Sequence, residues 1–117
     1  MKSYEDLVAW RLAVSACIDV YRVTQRFPSD ERFGPTQQLR RAAVSVPSNI
    51  AEGYGRGSRQ EYTRFLRVAR GSLNEVETQL LIAEKLGYFG KAEHDETREK
   101  LAEAGRVLAG LIRSLET

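Results

Sequence analysis

The sequence predicts an all-α protein, an antiparallel up-down-up-down four-helix bundle. Three observations predict it. Apolar residues recur at three- and four-residue spacing over four long segments. No stretch of four to eight residues alternates apolar and polar between turn signals, so no strand is expected. Gly and Pro punctuate the chain sparsely, and short connections favour antiparallel neighbours.

The spacing places the first helix at about residues 3–26. Ser3 with Asp6 forms a loose capping box, and Phe27-Pro28 ends the segment. Leu7, Trp10, Val14, Cys17 and Tyr21 make one apolar stripe. Ala9, Leu12, Ala16, Val20 and Val23 make a second, roughly opposite the first. A single bundle covers one side of a helix only, so Leu12, Ala16, Val20 and Val23 are read as an oligomer interface. The second helix is expected at 35–53, with Pro35 at its first position and Gly53 just past its end. Leu39, Ala42, Ala43, Val46 and Ile50 face inward, and Pro47 should kink the last turns. The third helix, 58–86, opens on Ser58 and Glu61, an S-x-x-E capping box, and stops at Gly87. The fourth is expected at 93–115, with Leu101, Leu108, Ile112 and Leu115 inward.

The chain of 117 residues is long enough for one domain, 1–117. Its 42% hydrophobic and 29% charged content exclude a disordered tail, a collagen-like chain and a disulfide scaffold. The single cysteine, Cys17, cannot pair within the chain, which points to a reducing compartment. No segment approaches the roughly 20 apolar residues of a membrane span, and Glu5, Asp6 and Arg11 interrupt any secretory run. A cytoplasmic protein is expected.

The net charge of +2 conceals an asymmetry. Residues 32–70 hold eight arginines against Glu52 and Glu61, a local +6, so the rest of the chain carries −4. Arg40, Arg41, Arg56, Arg59, Arg64, Arg67 and Arg70 form a candidate nucleic-acid surface, with Tyr54 placed in a glycine loop to stack on a base. The amides of Ser58 to Gln60 at a helix start could add a phosphate contact. The alternative is that these arginines pair with Glu75, Glu77, Glu84 and the acidic fourth helix.

Catalytic chemistry finds little footing. A di-iron bundle needs Glu-x-x-His pairs, and the only histidine, His94, follows Lys91 at that spacing. One Cys and one His make no zinc site. His94 sits among Glu93, Asp95 and Glu96 and reads as solvated, and Cys17 reads as a core thiol. Gly53-x-Gly55-x-Gly57 lacks the preceding strand and the Gly-Lys-Ser/Thr of a phosphate loop. No catalytic residue, metal or cofactor is expected. Asn49 and Glu52 read as structural, Asn49 satisfying carbonyls freed by Pro47 and Glu52 pairing with Arg56.

The run from Arg40 to Arg56, with Asn49-Ile50-Ala51-Glu52-Gly53 at its centre, resembles a bacterial family. So does Glu61-Tyr62-x-Arg64-Phe65-Leu66 followed by Gly71-Ser72-Leu73-Asn74-Glu75. The family is the four-helix bundle proteins encoded in 23S rRNA intervening sequences, which includes the accessory variability protein of diversity-generating retroelements. The resemblance extends from Tyr4 to Tyr88, with Pro35 as a departure where an aliphatic residue is usual. It implies a ring of five bundles around a channel, a homopentamer, and no known catalytic activity. For the retroelement members it implies binding of nucleic acid and of a reverse transcriptase. The expected function is therefore a non-enzymatic homo-oligomer binding RNA or DNA. The alternative is a protein-interaction scaffold or accessory subunit for a partner such as a reverse transcriptase.

Overall fold

The computed structural model describes residues 2–116. The first and last residues of the expected domain lie outside them. Four helices fill the chain: α1 (Val8–Thr24), α2 (Pro35–Tyr54), α3 (Arg59–Lys85) and α4 (Lys91–Glu116). Single 3-10 turns at Tyr4–Asp6 and Ser29–Glu31 precede α1 and α2, and no strand occurs among the described residues. Each helix packs against two others, in the cyclic order α1, α2, α3, α4. The body measures 43 × 25 × 21 Å, about as long as its longest helix at 1.5 Å per residue.

Cross-helix contacts fix the directions. Ser45 meets Ser72 at 2.9 Å, and a Cβ on Gly53 would touch the Cβ of Phe65. As α2 advances α3 recedes, so the pair is antiparallel. Asp19 with Lys100 and Arg26 with Glu93 say the same of α1 and α4. Glu84 with His94 and Arg67 with Glu116 say it of α3 and α4. The topology is the expected up-down-up-down bundle.

Local chemistry sets the helix ends. Ser3 and Asp6 do form reciprocal bonds, but they cap the 3-10 turn, and α1 begins only at Val8. Asp6 Oδ2 accepts from the amides of Lys2 and Ser3, which together with Arg11 hold its carboxyl below the usual range. Ser58 Oγ accepts from Glu61 N at 3.1 Å. Glu61 turns its carboxylate to Arg64 instead of back to the cap. The far end of α3 closes on Gly87, whose φ of 81° suits glycine alone. Tyr88 N bonds to Ala83 O and Gly87 N to Glu84 O, a Schellman arrangement.

Gly53 is not past the end of α2 but inside it, and Gly55 is the cap. An alanine there would put its Cβ 2.7 Å from the Cβ of Phe65 and 3.2 Å from the carbonyl of Tyr62. Glycine lets α2 and α3 approach to backbone contact. Pro47 sits buried within a continuous α2. Asn49 donates to the Ser45 carbonyl and hydroxyl. It does not reach Ala43, whose carbonyl loses its regular donor at Pro47. The Ser45 hydroxyl passes the link on to Ser72 and so ties α2 to α3.

The two stripes of α1 exchange roles. Ala9, Ala13, Ala16, Val20 and Val23 are all buried in this bundle's own core, Val20 completely. Leu12 is half-buried and packs against that core. The interface predicted at Leu12, Ala16, Val20 and Val23 is therefore corrected for Ala16, Val20 and Val23, which are already covered within one chain, while Leu12 keeps part of its surface. Trp10, Val14 and Cys17 lie half-buried on the flank, and Tyr21 is exposed. Size is the physical reason. Alanines at 9, 13 and 16 let α1 settle deep between α2 and α4, whereas bulky Trp10 and Tyr21 fit only at the rim. Cys17 is half-buried rather than fully enclosed, and burial pushes its thiol pKa up.

His94 is also corrected. It is 3% exposed, with Nδ1 3.5 Å from Glu84 Oε1 and its ring edge-on to Phe89. Because α4 starts at Lys91, His94 falls in its first turn on the side facing α3. There it joins Phe27, Tyr88 and Phe89 in an aromatic cluster at that end of the bundle.

Candidate nucleic-acid interface

The seven arginines do not form one patch. They divide by what each guanidinium touches. Arg40 is structural: its Nε donates to Thr24 Oγ1 at 2.8 Å, and its guanidinium lies 4.7 Å from the Tyr21 ring centre. Nη2 reaches the Tyr21 carbonyl at 3.4 Å. A cation at those last carbonyls also suits the negative end of α1. Arg56 pairs with Glu52 at 2.8 Å, as expected, and Arg64 with Glu61 at 2.9 Å. Both guanidiniums stand over the ring of Phe65, at 4.8 and 4.5 Å. They close over a ring that is only 8% exposed. Arg67 pairs with Glu116. None of these partners is Glu75, Glu77 or Glu84, but Glu116 belongs to the acidic fourth helix that the alternative named.

Arg41, Arg59 and Arg70 are different. All three are exposed and make no side-chain hydrogen bond or ion pair among the described residues. Arg41 lies on the outer face of α2, Arg59 at the start of α3 and Arg70 midway along it. Their charge is available in full to a polyanion.

Tyr54 does not sit in a loop. It ends α2, half-buried, edge-on to Tyr62 at 5.9 Å. Burial, with Tyr54 adding to it, pushes the Tyr62 hydroxyl pKa up. At the start of α3 Ser58 takes the amide of Glu61, one residue beyond the Ser58 to Gln60 amides expected to meet a phosphate.

A groove that sequence reasoning did not assemble opens beside Arg40 and Arg41. It measures about 700 Å³ and lies where Tyr21 of α1 and the loop residues Arg32 and Phe33 meet the outer face of α2. Three arginines line it and no acidic residue does. Phe33 is 83% exposed. One sequence signal marks it: Phe33 is an aromatic outside every helical stripe, set between Arg32 and Gly34-Pro35. By contrast, the depression between α1 and α4 carries Asp19, Glu93 and Glu96 against Arg22.

Among the described residues no three His, Cys, Asp or Glu side chains gather as a metal site, and no helix is long and apolar enough to cross a membrane. The fold and this surface define an antiparallel four-helix bundle that carries unpaired arginines on the outer faces of α2 and α3.

The chain belongs to the family of 23S rRNA-intervening sequence proteins, whose family model matches residues 5–110. It is similar to a crystal structure from Bacteroides thetaiotaomicron VPI-5482, a protein of unknown function from the S23 ribosomal protein family. The two share 19% identity and superpose with a TM-score of 0.82 over 90% of this chain and 98% of that one. That likeness carries the fold. No curated protein matches. Neither the family nor the neighbour carries an enzyme name.

Proposed function

We propose that this chain is a non-enzymatic, self-associating bundle that binds RNA or DNA through arginines on α2 and α3. The observation that carries the reading is the set Arg41, Arg59 and Arg70, three exposed guanidiniums with no acidic partner among the described residues. Solvated arginines attract phosphate without first breaking an ion pair. Arg56, Arg64 and Arg67 contribute less per residue, because Glu52, Glu61 and Glu116 share their charge. Contact mainly to phosphate gives weak sequence preference.

Self-association is supported by apolar surface left outside the bundle. Leu81, Ile82 and Leu86 at the end of α3 are each about half exposed or more. Ile82 and Leu86 line a 170 Å³ depression that also holds Phe27 and Leu39. Five copies is the number the family resemblance implies. A ring would repeat the arginine set around an axis and raise avidity.

The test is fluorescence anisotropy with an RNA and a DNA probe at low salt, comparing wild type with the triple variant Arg41→Ala, Arg59→Ala, Arg70→Ala. The triple variant should lose most of the affinity and keep its helical circular dichroism. Equal binding by both proteins would remove the reading. The same exposed apolar patch also supports the rival, a scaffold for another protein such as a reverse transcriptase. A single protein partner recovered after nuclease treatment, with no nucleic-acid binding, would favour that.

A further inference from the structure

We propose that the groove between α1 and α2 is a pocket for one nucleotide unit, with the base against Phe33 and the phosphate held by Arg32 and Arg41. Its volume, about 700 Å³, falls in the range of small-ligand sites, about 300–1,000 Å³. Where the unit comes from a nucleic-acid strand the proposal rests on the function proposed above; where it is a free nucleotide it does not.

Four observations converge there. Phe33 is the most exposed large apolar side chain described, at 83%. The Arg32 guanidinium stands 5.4 Å from its centre, so a cation already borders the stacking position. Arg41 lies one turn beyond Gln37 on the same face of α2 and has no competing carboxylate. Finally, the start of α2 is uncapped, because Gly34 has no side chain to receive its first amides. Positive charge, an uncapped helix start and an open aromatic ring together suit a base with its phosphate, whereas an acidic peptide would leave the ring unused.

The experiment measures binding of three probes at low salt to wild type, Phe33→Ala and Phe33→Trp. The probes are a twelve-nucleotide oligoadenylate, an abasic strand of equal length, and adenosine monophosphate. Phe33 carries none of the core, so the variants keep the fold. Phe33→Ala should weaken oligoadenylate binding about 5- to 150-fold, the span that base–aromatic stacking covers. Abasic-strand binding should not change, and Phe33→Trp should restore the loss. A loss confined to adenosine monophosphate also supports the pocket and assigns it a free ligand. Equal binding of every base-bearing probe by wild type and Phe33→Ala overturns the pocket. If that equal binding still falls on Arg59→Ala and Arg70→Ala, the nucleic-acid function survives and only the pocket is lost. No binding of any probe by wild type overturns both.

Discussion

Two helical glycines should respond to the same substitution with opposite sign. At Gly53 an added methyl meets the Cβ of Phe65 at 2.7 Å, the Tyr62 carbonyl at 3.2 Å and the Tyr62 ring at 3.3 Å. Ordinary contact begins at 3.4 Å, and two of the three neighbours are rigid, so α2 and α3 must separate. Overpacking of this kind costs about 1–3 kcal/mol, and rigid neighbours put Gly53→Ala at the upper end. Alanine returns about 1 kcal/mol of helix propensity. The net is a loss of about 2 kcal/mol. At Gly71, midway along α3, a methyl meets nothing within 4 Å. Only the propensity gain remains, about 1 kcal/mol of stabilisation. With about 4 °C per kcal/mol for a chain of this size, thermal melts followed at 222 nm should show Gly53→Ala lower by about 8 °C and Gly71→Ala higher by about 4 °C. A Gly53→Ala protein that melts at or above wild type would refute the close α2–α3 approach, and with it the structural reading of the Asn49–Gly53 motif.

Neighbouring arginines should separate as cleanly. Arg40→Ala removes the bonds to Thr24 and Tyr21 and the cation on the Tyr21 ring, a loss of about 2 kcal/mol readable by urea denaturation. Arg41→Ala should leave the urea midpoint unchanged and weaken nucleic-acid binding. Burial raises the pKa of the half-buried Glu77, against the pull of Arg98. The folded chain therefore holds that proton more tightly than the unfolded chain, and stability rises as pH falls through the raised pKa. Glu77→Gln should melt higher than wild type at pH 7, and the gap should close on acidification to pH 3. Ile82→Asp places a charge in the exposed α3 patch and should shift sedimentation mass from a multiple of 13.2 kDa to that of one chain.

The fold was legible because its helices are long and their cores repeat. Leu66, Ala69, Leu73, Val76 and Leu80 of α3 announce one face by spacing alone, and all are buried. What spacing does not reveal is which of two apolar stripes goes inside. In α1 that depended on the depth to which alanine-lined backbone fits, a property of the neighbours rather than of the helix. His94 was misjudged for a related reason: charged residues on either side describe the sequence around a helix start, not the direction one side chain faces. The arginines were found by counting and Glu52 as the partner of Arg56 by spacing, but the particular partners of Arg64 and Arg67 were not. Glu116 lies 49 residues from Arg67, and only the fold brings them together. The groove was hidden because its residues come from α1, a loop and α2, and Phe33 belongs to no periodic pattern.

The salt dependence of RNA affinity tests the central claim most directly. Arg41, Arg59 and Arg70, each neutralising one phosphate, predict that log K falls linearly with log salt, with a slope of about −2 per bound chain on a single strand. A slope near zero, or no binding at low salt, would contradict the account.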